Sequence, residues 1–134
     1  LSAEFTSRFL FDRPGLASIA LGTNSSAMTA IGNDYGYDNV FSREIEAIAN
    51  PADIIIAITT SGNSSNILKA LDAAKIKKVF TVVLTGSGRG KLADDAITLN
   101  IPSEDTARIQ ECHILIGHII CGLVEEAIFG GQRL

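Results

Sequence analysis

Residues 53–59 read Asp-Ile-Ile-Ile-Ala-Ile-Thr, and no other run limits the fold as much. A strand with one wet face alternates apolar and polar side chains. This run is apolar at odd and even positions alike, as a parallel strand covered on both faces would be. Residues 79–85 (Val-Phe-Thr-Val-Val-Leu-Thr) repeat the pattern. Residues 17–21 and 96–101 are shorter apolar runs read as two further strands, the second ended by Pro102. Helical spacing fills the gaps: residues 1–11, stopped by Arg13-Pro14-Gly15; a short helix from the Asn24-Ser25-Ser26 cap to about Ile31; residues 41–49; 66–75; a short helix near 91–94; and a long helix over 107–129, capped by residues 103–106 and closed by Gly130-Gly131. Strands alternating with helices predict an α/β fold: a three-layer, doubly wound parallel sheet with four strands visible. Such sheets usually have five or more strands. The chain also begins at Leu1, without Met and already in a helical pattern. We therefore expect one domain over residues 1–134, entered part-way through and N-terminally incomplete.

Composition narrows the function classes. The chain has 134 residues, 46% of them hydrophobic, so it can build a core. The net charge is −4 and no basic run occurs, which argues against a nucleic-acid partner. The longest nearly uncharged apolar stretch, residues 114–124, is interrupted by His118 and falls short of the roughly 18 residues of a membrane span, so no membrane partner is expected. Only 19% of residues are charged, a hint of surface buried against other subunits. Cys112 and Cys121 lie on opposite faces of the long helix, about 13 Å apart along its axis, too far to bridge. Two unbridged thiols fit a cytoplasmic location.

One loop carries the chemistry. Thr59-Thr60-Ser61-Gly62-Asn63-Ser64-Ser65 follows the carboxyl end of the best strand and opens a helix, which is where open α/β sheets bind ligands. Helix N-termini offer free N–H groups and a positive dipole end. One hydroxyl would suffice as a cap; five in seven positions point to an anion. The loop has no Lys, so nothing counters a triphosphate, and a sugar phosphate suits it better. Gly86-Ser87-Gly88-Arg89-Gly90 lacks dinucleotide-binding spacing and reads as a tight turn.

The remaining candidates are ambiguous by spacing. His113 and His118 are about 140° apart around a helix and are no metal pair; one should point inward. Gln110 and His118 are about 12 Å apart along the same helix. If both act on one ligand, different subunits supply them. Glu4 and Arg8 fit an i,i+4 surface ion pair. Asn33-Asp34 sits in a Gly-rich segment, where Asx residues make turns or bind sugar hydroxyls.

Four stretches together carry a resemblance: residues 3–9 (Ala-Glu-Phe-Thr-Ser-Arg-Phe), 30–36 (Ala-Ile-Gly-Asn-Asp-Tyr-Gly), 60–64 (Thr-Ser-Gly-Asn-Ser), and 107–113 (Ala-Arg-Ile-Gln-Glu-Cys-His) on to His118. With their spacing, the chain resembles a flavodoxin-like sugar isomerase (SIS) domain of the phosphoheptose isomerase branch. That resemblance implies conversion of sedoheptulose 7-phosphate to D-glycero-D-manno-heptose 7-phosphate, an early step toward ADP-heptose and the lipopolysaccharide core, through an enediol. It implies Glu4 as base and His118 as acid. Thr59, Thr60, Ser61 and Ser64 would hold the phosphate; Arg8, Asn33 and Asp34 would contact substrate; Gln110 would bind substrate or metal. It further implies a zinc ion on Glu4, Gln110, His118 and one more His, and a homotetramer with sites built across subunits.

The chain departs from the family pattern upstream. An upstream strand, a Gly-Asn-Gly-Gly-Ser loop and the further His, one turn before Glu4, are expected to precede Leu1. By itself the chain should therefore not complete the site. The alternative reading is a non-catalytic SIS protein, either a DnaA-associating replication factor or a sugar-phosphate-sensing module. Neither would need Glu4 and His118.

Overall fold

The computed structural model describes residues 1–92 and 96–132. Its elements run in the order α1 (Ser2–Thr6), α2 (Ser25–Tyr35), α3 (Val40–Ile48), β1 (Ile54–Ile58), α4 (Ser65–Ile76), β2 (Phe80–Thr85), β3 (Ile97–Asn100) and α5 (Thr106–Phe129), with short 3-10 turns at Tyr37–Asn39 and Gly130–Gln132. The short helix expected near residues 91–94 lies, from 93 on, outside the described residues. The chain forms two compact units, Leu21–Gln110 and the pairing of Leu1–Ala20 with Glu111–Leu134.

The first of these units holds the sheet. Its three strands are parallel and lie in the order β1-β2-β3, with Ile54 opposite Phe80 and Val82 opposite Ile97. The α/β architecture is as the sequence indicates, with one strand fewer: residues 17–21 join no ladder among the described residues. An apolar run is a strand only when a neighbour takes its N–H and C=O groups, and that neighbour is not written in the run itself. On one face Ile55, Ala57 and Val83 pack under α3 and α4. Ala70, Ala73 and Ala74 are buried on α4; with no bulk beyond a methyl group, they let α3 approach closely through Ile45. The other parity, Ile54, Phe80 and Ile97, is 65%, 52% and 51% exposed. On that same face Leu84, at the carboxyl end of β2, is fully buried, so the exposure is confined to β1, β3 and the amino-terminal end of β2.

Helix α2 runs four residues past its expected end at Ile31. Asn24 caps its start by accepting from Ala27 N–H at 3.1 Å. The last turn is held by contacts from downstream: Asn39 donates to the Tyr35 carbonyl, and the Arg43 guanidinium sits 4.5 Å from the centre of the Tyr35 ring. Gly36, at φ +85°, then turns the chain out. These contacts outweigh the roughly 1 kcal/mol that Gly32 costs in mid-helix.

In the second unit α1 is only five residues long, against the helix expected over 1–11. The reason is a carboxylate more than a hundred positions away. Glu125 Oε1 accepts from Phe9 N–H at 2.9 Å, and Oε2 from Leu10 N–H at 2.6 Å. The Arg13 Nε donates to Oε1 at 2.8 Å, and both side chains are buried. Phe9 and Leu10 give their N–H groups to Glu125 rather than to a helix, so the chain leaves α1 after Thr6. The i,i+4 pairing of Glu4 with Arg8 consequently does not form; Arg8 lies beyond the helix and is exposed.

Burial alone would push the Glu125 carboxyl up. The N–H groups of Leu10 and Phe9 and the Arg13 guanidinium outweigh it, and the net displacement is downward. A carboxyl depressed in the folded state stabilises the fold above its unfolded value, about 4.3 for Glu, and loses that contribution as the pH falls through the folded value. Thermal melts taken from pH 6 to pH 3 should show a fall below about pH 4.3 that flattens in Glu125→Gln. Identical acid limbs in the two proteins would contradict this.

Helix α5 is unbroken, as expected, and Asp105 caps it by accepting from Ala107 N–H at 2.9 Å. Its most apolar eighteen residues have a mean hydropathy of 1.6, so by length and composition it is long and apolar enough to cross a membrane. The run 114–124 is only the centre of that helix, with Arg108 and Glu111 before it and Glu125 and Glu126 after it. Both cysteines are free; burial pushes the Cys121 thiol up.

Candidate functional site

Three loops meet at the carboxyl end of the sheet. The loop after β1 is shaped by its own residues: buried Thr59 accepts from Gly62 N–H through Oγ1 at 3.2 Å, and Ser61 Oγ accepts from Asn63 N–H at 3.2 Å. The loop after β2 docks on it backbone to backbone. Gly86 N–H donates to Thr60 O at 3.1 Å, and Lys91 N–H to Gly62 O at 3.1 Å. Gly62 (φ +67°) and Gly90 (φ +54°) face each other there, and a Cβ on Gly62 would lie 2.5 Å from the Arg89 carbonyl oxygen. The loop after β3 closes the third side, with Ser87 N–H donating to Ser103 O at 3.1 Å.

These loops line an open, shallow cavity of about 260 Å³. Thr60 and Ser61 line it from the first loop and Ser87 and Gly88 from the second; Ser103, Glu104 and Thr106 come from the third, over an apolar floor at Ile109. Helix α4 begins beside the first loop. Its N-cap Ser64 makes no side-chain cap bond, and Ser65 is turned to Asp38. Of the hydroxyls in this loop, those of Thr60 and Ser64 take no bond within the chain among the described residues. The cavity lining holds four hydroxyl side chains besides Thr60 and no Lys or Arg. It suits a ligand that takes many neutral hydrogen bonds.

The sequence-derived residues fall as follows. Thr60 and Ser61 line the cavity. Thr59 is buried beneath the loop it shapes, and Ser64 stands at the start of α4. Asn33 and Asp34 are exposed on the last turn of α2, not in a turn, with Asn33 Nδ2 donating to Asp34 Oδ1 at 2.8 Å. Gln110 is exposed at the end of this unit. Glu4 and His118 belong to the other unit. There Leu1 packs on Gly117 and the Phe9 ring lies 5.5 Å from the His118 ring, so the segment bearing Glu4 runs along the helix bearing His118. The Glu4 carboxylate is close enough to add, after burial, to the upward push on Cys121. Glu4 is half-buried and His118 exposed; His113 is the one that turns inward.

Ser87, Gly88, Ser103, Glu104 and Thr106 were not expected in the site. The Gly-Ser-Gly loop read as a turn, and 103–106 as a helix cap. Their position at the ends of β2 and β3 was the available signal.

No three His, Cys, Asp or Glu side chains come together among the described residues. Along unbroken α5, Gln110 and His118 stand about 12 Å apart, beyond the span of two ligands on one ion.

Residues 1–86 match the SIS domain family. The phosphoheptose isomerase of Aneurinibacillus thermoaerophilus is 57% identical over 130 residues, covering 96% of this chain and 66% of that protein. The phosphoheptose isomerase of Burkholderia pseudomallei is 50% identical over 133 residues, covering 98% of this chain and 68% of that protein. Among solved structures, a phosphoheptose isomerase from Francisella tularensis superposes with a TM-score of 0.88 at 37% identity, covering 93% of this chain and 68% of that one. One from Neisseria gonorrhoeae gives 0.77 at 46%, covering 81% and 62%. The chain spans about two thirds of the length of the curated relatives it matches.

Proposed function

The chain belongs to the SIS domain family and groups with its phosphoheptose isomerases, and we propose that the protein converts sedoheptulose 7-phosphate to D-glycero-D-manno-heptose 7-phosphate, feeding ADP-heptose and lipopolysaccharide core synthesis in the cytoplasm. The observation that carries this reading is the hydroxyl-lined cavity at the carboxyl ends of the three strands. Its five hydroxyls can donate to the phosphate of a sugar phosphate; Glu104 is the one charged group of the lining, and no cation is there for a nucleotide triphosphate. Thr60, Ser61 and Ser64 hold the phosphate, with Thr59 shaping their loop. Arg8, Asn33, Asp34 and Gln110 are exposed polar groups available to the sugar.

The reaction moves one proton between adjacent carbons. The Glu4 carboxylate takes the proton from C1 while His118 gives one to the C2 carbonyl oxygen, which makes the enediol. Glu4 then returns its proton to C2, and His118 takes the one on the C1 hydroxyl, leaving the aldose. Incubating the complete protein, including the segment expected before Leu1, with sedoheptulose 7-phosphate and following the aldose phosphate tests this. No turnover would overturn it in favour of a non-catalytic binding role.

Assembly belongs to the same reading. Leu115, Ile119 and Leu123 recur every four residues on α5 and are 60%, 51% and 66% exposed. Such a stripe is covered when the chain forms a homotetramer, whose sites draw residues from more than one copy. Zinc would enter only there, held by Glu4 and His118 of one copy, Gln110 of another and the further His; metal content measured on the assembled protein tests it. Light scattering should give a tetramer, and Leu123→Asp should shift it to smaller species. A monomer at micromolar concentration would contradict the assembly.

A further inference from the structure

Arg13 first reads as part of a helix stop, Arg-Pro-Gly. In the structure its guanidinium is buried and donates from all three of its nitrogens. Nη2 donates to the Glu4 carbonyl at 2.7 Å, and Nη1 to the Phe5 carbonyl at 2.8 Å and the Pro14 carbonyl at 3.0 Å. Nε donates to Glu125 at 2.8 Å. The side chains of Arg13 and Glu125 are 2% and 1% exposed. The last carbonyls of a helix have no partner within it. A five-residue helix cannot hold itself in water either. At α1 one planar, always-charged fork serves the Glu4 and Phe5 carbonyls, the second of them together with Leu16 N–H at 2.9 Å.

The other end of the pair is equally committed. Glu125 takes the Phe9 and Leu10 N–H groups, so every bond it makes ties residues 9–13 to α5. Seven residues earlier on α5, two helical turns away, stands His118, whose ring lies against Phe9. The pair thus joins the backbone of Glu4 to the helix carrying His118.

We infer that Arg13 and Glu125 are positioning residues for the isomerisation: Arg13 grips the backbone carbonyl of Glu4, and Glu125 anchors that grip to α5, so that the carboxylate of Glu4 is held in register with His118. Neither touches substrate. The inference rests on the reading of Glu4 and His118 as the proton-transfer pair. A misplacement of about 1 Å in such a pair costs around 100-fold in rate, so a loosened grip should act on kcat and leave substrate binding alone.

The test uses Arg13→Lys and Glu125→Gln in the complete protein. Arg13→Lys keeps the charge beside Glu125 but loses the fork that reaches the Glu4, Phe5 and Pro14 carbonyls. Glu125→Gln turns an NH2 toward an N–H donor. Both variants should lower kcat for sedoheptulose 7-phosphate by about 10-fold or more, with KM within a few-fold. Hydrogen exchange should speed up at residues 2–10 and not in the sheet. Added guanidinium ion should restore part of the kcat of Arg13→Ala. Normal kcat in the folded variants, or a rise in KM alone, would overturn the positioning role. Unchanged exchange at Phe9 and Leu10 would overturn the clamp itself. Absence of turnover in the unmodified protein would instead remove the functional reading, and the exchange measurement would still decide the clamp.

Discussion

Glu4→Gln and His118→Gln should each lower kcat for sedoheptulose 7-phosphate by about 100- to 10,000-fold, the usual worth of a positioned acid or base. Glutamine keeps the shape of Glu4 and removes its basicity. The Glu4 side chain takes part in no hydrogen bond or ion pair among the described residues; only its backbone is bonded, to Arg13. The loss should therefore appear in turnover with stability within about 0.5 kcal/mol of the parent. His118→Gln also removes a ring contact with Phe9, so about 0.5–1.5 kcal/mol of stability should go with the activity. If the two roles belong to one reaction, the double variant should be little slower than the worse single variant. Unchanged turnover in both single variants would remove the mechanism while leaving the fold assignment intact.

Gly62→Ala should be among the most damaging single changes in the chain. The residue stands at φ +67°, where a Cβ costs about 1–2 kcal/mol. That Cβ would also lie 2.5 Å from the Arg89 carbonyl oxygen and 2.8 Å from its carbon. Both are backbone atoms, so no rotamer change relieves the overlap, and the loops after β1 and β2 must separate. We expect about 3 kcal/mol or more of lost stability and a much higher KM, because the same two loops line the cavity. Gly32→Ala is the control: it lies mid-helix with nothing within 4 Å of its added Cβ, and it should gain about 0.5–1 kcal/mol. Urea unfolding of the two variants separates conformational strain from a general intolerance of alanine. Equal stability of Gly62→Ala and its parent would refute the packing argument.

The two cases differ in how far the sequence could reach. The hydroxyl-rich loop was legible because its position follows from local signals: an isoleucine run, then Ser and Thr, then helical spacing. Its partners were not. Nothing local distinguishes Gly86-Ser87-Gly88 from an ordinary turn. It becomes a wall of the cavity only because β2 lies beside β1 in register, which sets Gly86 against Thr60. The shortened α1 is the same lesson reversed. The spacing of Leu1, Phe5 and Phe9 favours a helix through Phe11, and a distant carboxylate overrides it by taking two N–H groups that the helix would have used. Residues 17–21 failed as a strand for a related reason, since pairing is a property of two segments.

By itself the sequence determined three parallel strands and the helices between them, the end of the sheet that carries the hydroxyl-rich loop, the cap of α5 and the free state of the two cysteines. Each follows from periodicities of two or 3.6 residues and from turn chemistry within a few positions. Only the tertiary structure decided which loops line the cavity, where α1 ends, and that Arg13 and Glu125 meet. Those outcomes depend on contacts between residues as many as 116 positions apart, and no local periodicity records which distant group will accept a given hydrogen bond.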